Sequence, residues 1–158
     1  MRGEEAVIME KLKNIGNSIH PSIQLEADYP SLHDDHKLPI LDVRMWVTDD
    51  NRILHEFYQK DISSKAVVHA RSSLPWSAKR TVLTQEILRI LLRCSPDLPW
   101  NNIKNHVEIF IARMQYSGYN KRFRAEVLNS AIEAYKEITR KDKQGEQPLY
   151  RPKQWRQT

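Results

Sequence analysis

Apolar and polar residues alternate over 41–47. Leu41, Val43, Met45 and Val47 fall on one face of an extended chain, and Asp42, Arg44 and Trp46 on the other. A period of two predicts a half-buried strand. Thr48-Asp49-Asp50-Asn51 has turn chemistry, because Asp and Asn tolerate left-handed backbone and bond their own main chain. Arg52–Gln59, with Ile53, Phe57 and Tyr58, supplies a second arm, so Lys37–Lys60 is expected to form a β-hairpin. A lone hairpin is marginal in water and needs a further layer. Ile23 and Leu25 alternate with Ser22, Gln24 and Glu26, which predicts a third strand over Ser22–Ala27. Asp28–Lys37 between them is a polar loop.

Elsewhere the period is helical. Glu4–Ile15 places Ile8, Leu12 and Ile15 on one face, with Gly16-Asn17 as its stop. Residues 61–75 are mixed, with a short extended piece at Val67-Val68. From Ser77, an expected N-cap, Leu83, Ile87, Leu88, Ile90 and Leu91 form a stripe. Two prolines in Ser95–Pro99 break it. A second helix from near Trp100 carries Ile103, Val107, Phe110, Ile111 and Met114 on one face. Gly118 suits a helix C-terminus and Asn120 an N-cap for a third helix, with Phe123, Val127, Ala131, Tyr135 and Ile138 inward. The last two helices, joined through Ser117-Gly118-Tyr119, make a helix–turn–helix in the geometric sense.

The expected fold class is therefore α+β: an N-terminal helix and a three-stranded antiparallel sheet, then a three-helix bundle containing the helix–turn–helix. Residues 1–64 form the α/β segment and 65–143 the helical domain. Residues 144–158, polar with Gly145 and two prolines, are expected to be a disordered basic tail.

A length of 158 residues with 40% hydrophobic content suits one domain or one and a half. No apolar run approaches the roughly 20 residues of a membrane span, and Met1–Glu10 lacks the apolar block of a signal peptide. An intracellular site, nucleus or cytoplasm, is expected, with no membrane partner. Cys94 is the one cysteine, which excludes an internal disulfide framework and a cysteine-rich zinc site.

Charge changes the picture more. The net charge is +5, but residues 1–64 hold 7 Lys/Arg against 12 Asp/Glu, and residues 65–158 hold 18 against 8. A basic half after an acidic one points to a polyanionic partner for the second half. Arg71, Lys79 and Arg80 precede or open the first helix of the bundle. Lys121, Arg122 and Arg124 crowd the first turn of the third. Cations oppose the dipole at a helix start, so that placement favours another use: contact with phosphates, which the free N–H groups also attract. With Lys60 at the end of the hairpin, these are the expected nucleic-acid contacts. Trp76 and Tyr119 lie beside the clusters, either as stacking rings for bases or sugars or as packing caps.

Other chemistry is sparse. The four glycines are isolated, so there is no phosphate cradle. His33-Asp34-Asp35-His36 has ligand types suited to zinc or manganese, but four adjacent loop residues converge poorly on one ion, and a solvated turn is expected. Asp49-Asp50 resembles a magnesium pair, yet its neighbours Thr48, Asn51 and Arg52 read as a turn.

Four segments together resemble the C-terminal part of retroelement reverse transcriptases (RNA-directed DNA polymerases), of the Penelope-like and related non-LTR retrotransposon types of animals. They are KLPILDVRMW, ILHEFYQKD, SSLPWSAKRTVL and MQYSGYNKRFRAEVL. The matching positions are Leu38–Val43, Tyr58–Asp61, Ser72–Thr81 and Gly118–Asn120, and the likeness spans about Glu10 to Lys136. It implies that residues up to about Asp61 correspond to the end of the palm. Residues 65–143 would be a thumb-like domain contacting the backbone of an RNA–DNA or DNA duplex, with the polymerase core as a further partner. Gln59, Asp61 and Asn120 depart from the Arg, Pro and Pro usual there. The family's aromatic-x-Asp-Asp motif is absent. The chain is thus expected to be a fragment inactive alone and without a cofactor, magnesium belonging to the parent enzyme. The alternatives are a free-standing helix–turn–helix DNA-binding module using Lys121–Leu128 as recognition helix, a protein-interaction module, and a metal enzyme centred on His33–His36.

Overall fold

The protein is described here from a computed structural model covering residues 2–60 and 66–143. It forms two compact units, Met1–Tyr58 and Gln59–Thr158. The class is α+β: helix α1 (Arg2–Ser18), strands β1 (Leu38–Ile40), β2 (Val43–Val47) and β3 (Ile53–Phe57), then helices α2 (Trp76–Leu92), α3 (Trp100–Tyr116) and α4 (Lys121–Lys143). The expected change of domain at 64/65 and the expected tail at 144–158 fall on residues outside those described.

In the N-terminal unit the three strands form an antiparallel sheet in the order β1-β2-β3. Val43, Met45 and Val47 pair with Phe57, His55 and Ile53, while Arg44 and Trp46 pair with Glu56 and Leu54. Val43, Met45 and Val47 thus share a face as the alternation predicts, but it is not the more buried one: Leu41 lies outside the strand, Val47 and Ile53 are exposed, and the buried residue is Glu56, opposite Arg44. The Thr48–Asn51 turn forms as expected: Asn51 N–H donates to the Thr48 carbonyl at 3.0 Å, and Asn51 takes a left-handed φ of 58°. Asp50 is occupied within this turn, accepting from the Thr48 hydroxyl and from Arg52.

The third strand is not Ser22–Ala27, which is irregular. The third strand is Leu38–Ile40, folded back on β2 through a two-residue loop, Leu41-Asp42. Leu41 stands at φ 55° and is 87% exposed, a conformation that favours Gly or Asn. The Ser22–Ala27 segment satisfies its backbone differently. Asn17 Oδ1 accepts the Leu25 N–H at 2.6 Å, and Asn17 Nδ2 donates to the Leu25 carbonyl. Helix α1 also runs past its expected stop at Gly16-Asn17. Gly16 lies inside the helix and leaves room for Leu25, whose Cδ1 a Cβ at that position would strike. The shared face of Ile8, Leu12 and Ile15 is open, each more than half exposed.

A charge network stiffens the sheet. Glu56 is buried, and its Oε1 accepts from Lys37 Nζ at 2.9 Å and Arg44 Nη2 at 2.7 Å. Arg44 Nη1 donates to Asp35 at 2.8 Å, and the Lys37 ammonium lies 4.1 Å from the Trp46 ring centroid. A carboxylate this buried is tolerable only with such partners.

The C-terminal unit holds the core. Leu83, Ile87, Ile90 and Leu91 of α2 meet Ile103, Val107, Phe110 and Met114 of α3 and Val127 and Ala131 of α4, all buried. Helix α2 packs on both α3 and α4. The 93–99 connection adds buried Cys94, Ser95 and Leu98. Ser77 is not the N-cap of α2. The N-cap is Pro75 (φ −56°, ψ 146°), two residues earlier, and its fixed φ sets the entry. Ser77 sits in the first turn, its carbonyl accepting from the Thr81 hydroxyl.

The α3–α4 turn forms as the sequence predicts. Gly118 takes φ 85°. Tyr119 N–H reaches the Met114 carbonyl at 3.1 Å and Gly118 N–H the Gln115 carbonyl at 3.0 Å, which is a Schellman closure. Asn120 Oδ1 then caps α4 by accepting Phe123 N–H at 2.9 Å.

Candidate nucleic-acid interface

Helix α2 begins where α3 ends and α4 begins, and the segment before α2 is bonded to the same place. Ala70 N–H donates to the Ser117 carbonyl at 2.8 Å. The Tyr119 hydroxyl donates to the Val68 carbonyl at 2.8 Å, and the Ser117 hydroxyl to Val67 at 3.4 Å. The Val67-Val68 piece is thus held by the α3–α4 turn rather than by a strand. Gln59 reaches the same end, its Oε1 accepting from Arg113 Nη1 in the last turn of α3 at 2.6 Å. Lys60, exposed, follows directly.

This end gathers charge. Arg80 Nη2 is 2.8 Å from Glu126 Oε2, and Arg122 Nε is 3.2 Å from Glu126 Oε1. One carboxylate therefore serves two guanidiniums from different helices, leaving an excess positive charge. The Arg122 side chain is 91% exposed. Lys121 beside it is exposed, as is Arg71 on the turn before α2. Arg124 is half-buried at the same end and donates from Nη1 to Gln115 Oε1 in the last turn of α3 at 2.8 Å. None of the first turns of α2, α3 and α4 carries an acidic residue.

Lys79 differs from the rest. It is buried, and its ammonium donates to the carbonyls of Ala70 and Ser72, each at 2.8 Å. A lysine so committed holds the 70–72 turn onto α2. Its burial withdraws it from the surface, so it leaves the set of surface cations.

The two aromatic residues also separate. Tyr119 is buried, and burial pushes its phenol above the ordinary value of 10.0. It stacks on Phe123 with centroids 5.1 Å apart. Trp76 is 57% exposed, although its ring meets Phe123 at 5.3 Å and Tyr119 at 6.1 Å, both T-shaped. The Lys79 ammonium lies 4.7 Å from its centroid.

The sequence reading missed Glu126, Gln115 and Arg113. Of these, only the Arg122–Glu126 pair, four apart on one helix, carried a local signal. The metal-like loop is divided among different partners. His33 Nε2 bonds Asp28 at 2.7 Å, while Asp35 accepts from Arg44 and from the Lys37 N–H. Among the described residues no group of three or more His, Cys, Asp or Glu is placed to hold a metal ion. No described helix is long and apolar enough to cross a membrane.

Compared with protein-family models, curated proteins and solved structures, the chain has no match in any of the three.

Proposed function

We propose that this chain binds nucleic acid through phosphates, without reading sequence, at the end of the helical unit where α2 and α4 begin. The observation that carries this is the convergence of Arg80 and Arg122 on the single carboxylate of Glu126, with Arg71 and Lys121 exposed nearby. Two helices that each open without an acidic residue, set beside one another, present cations and free N–H groups to one anionic strand. The binding set is Lys60, Arg71, Arg80, Lys121, Arg122 and Arg124, with Lys79 as their structural support.

The ordered likeness of Leu38–Val43, Tyr58–Asp61, Ser72–Thr81 and Gly118–Asn120 to reverse transcriptases supports a parentage in that family, with an RNA–DNA or DNA duplex as the backbone contacted. No nucleotidyl transfer is proposed for this chain, because it lacks the aromatic-x-Asp-Asp motif.

The test is the salt dependence of binding to unrelated duplexes. Counterion release makes log affinity fall linearly with log salt, by about 0.9 per phosphate neutralised. Similar affinity for unrelated sequences and a steep slope are expected. Salt-insensitive binding, or strong preference for one sequence, would remove the reading.

A second reading, a protein-interaction module, is favoured by one observation: the open apolar face of α1 at Ile8, Leu12 and Ile15. Self-association in sedimentation that disappears with Leu12→Lys would support it.

A further inference from the structure

Resting on the reading above, we infer that Trp76 is a stacking platform for an unpaired nucleobase, so that the favoured ligand is single-stranded nucleic acid or a duplex end with an overhang.

The argument starts from a conflict between exposure and order. Trp76 leaves more than half of its surface in water, where a large apolar ring gains least. A ring serving only to cap the core would be covered, as Tyr119 is at 3% exposure. Yet Trp76 is held from several sides. Phe123 and Tyr119 meet it in T-shaped contacts. The Lys79 ammonium, itself fixed by two carbonyls, lies against the ring. Pro75 fixes the backbone just before it. An exposed ring that is already ordered loses little entropy when something covers it, which is the condition for efficient binding.

The neighbours say what covers it. The Arg80 guanidinium lies 5.8 Å from the Phe123 ring that Trp76 touches, and Arg80 and Arg122 meet at Glu126. An aromatic face beside a run of cations matches a base beside its own phosphates. Within a duplex the bases are paired and stacked on their neighbours, so it is an unpaired base, free to leave its stack, that can lie on the indole. Phosphate contact alone uses the cations and leaves Trp76 unexplained.

The experiment measures anisotropy of three labelled ligands with the full chain: a short single strand, a blunt duplex of the same sequence and that duplex with an overhang. Trp76→Leu keeps an apolar side chain but removes the π face. It should weaken single-strand and overhang binding about tenfold and blunt-duplex binding less than about twofold, while Trp76→Phe keeps most of the affinity. Equal losses on all three ligands, or no loss on any, with helical circular dichroism unchanged, would overturn the inference and leave phosphate binding standing. Absence of binding to all three by the unaltered chain would remove both. Should Trp76→Leu fold poorly, a chain with Trp46, Trp100 and Trp155 replaced by Phe reports from Trp76 alone. Its emission should be quenched by the single strand and not by the blunt duplex. Unquenched emission with the strand bound would overturn the platform.

Discussion

The Lys79 ammonium lies 2.8 Å from the carbonyl oxygen of Ala70, nine residues earlier, and 2% of Lys79 is exposed. A cation that the sequence offers as a phosphate ligand is thus a clasp between α2 and the turn before it. Replacing it with Met leaves the part-buried Ala70 and Ser72 carbonyls without their donor and removes the contact with Trp76. Lys79→Met is expected to destabilise the helical unit by about 2–4 kcal/mol, measured as a lowered midpoint in chemical denaturation. Arg71→Ala, on the exposed turn held by that clasp, should change stability by less than about 0.5 kcal/mol. A Lys79→Met chain as stable as the parent would show that the clasp contributes nothing.

Glu126 restrains the two arginines it joins. Glu126→Gln removes one negative charge and releases Arg80 and Arg122 for phosphate. Affinity for duplex at low salt is expected to rise about three- to tenfold, with a steeper salt slope. The ion pairs are largely exposed, so the stability change should stay within about 1 kcal/mol. Titration at several salt concentrations reads both quantities. Unchanged affinity would mean that these arginines do not face the ligand.

Lys121, Arg122 and Arg124 open α4 together. Replacing all three by Ala is expected to lower the salt slope by about 2–3 and to weaken binding to unrelated sequences by similar factors. Asn120 remains as the N-cap, so the helix should persist in circular dichroism. Loss confined to one sequence would instead identify α4 as a reader of base edges.

The helical unit was largely legible because its signals are local. The stripe of Leu83, Ile87, Ile90 and Leu91 is buried as its spacing requires, and Gly118 and Asn120 act at the positions their chemistry suits. Strand β1 was not legible, because the Leu41-Asp42 turn puts a leucine, not Gly or Asn, in left-handed backbone, and that leucine continues the apolar alternation of β2. Ser22–Ala27 misled because alternation shows a strand's pattern but not its partner, and here the Asn17 side chain takes the partner's place. The basic residues were found as a set, but their roles depend on residues far away in the chain. Lys79 is buried by carbonyls brought back from 70 and 72, and Arg80 is paired with a glutamate 46 positions on. No local pattern encodes either relationship.

Tyr119 gives the helical unit an alkaline limit. Its hydroxyl donates to the Val68 carbonyl, and burial raises its folded pKa above 10.0. The neutral phenol is therefore favoured in the folded state. The stabilisation is fully present below the unfolded value near 10 and is lost as pH rises from there through the raised folded value, because the unfolded chain releases the proton first. Ionisation would also remove the donor to Val68 and loosen the segment that the α3–α4 turn holds. Tyr119→Phe should cost about 1 kcal/mol at neutral pH through the lost hydrogen bond. It should also lose less stability than the parent between about pH 10 and 12, the window above the ordinary tyrosine value of about 10. Denaturation midpoints for both chains across that range provide the check, and parallel curves would show that Tyr119 does not set the limit.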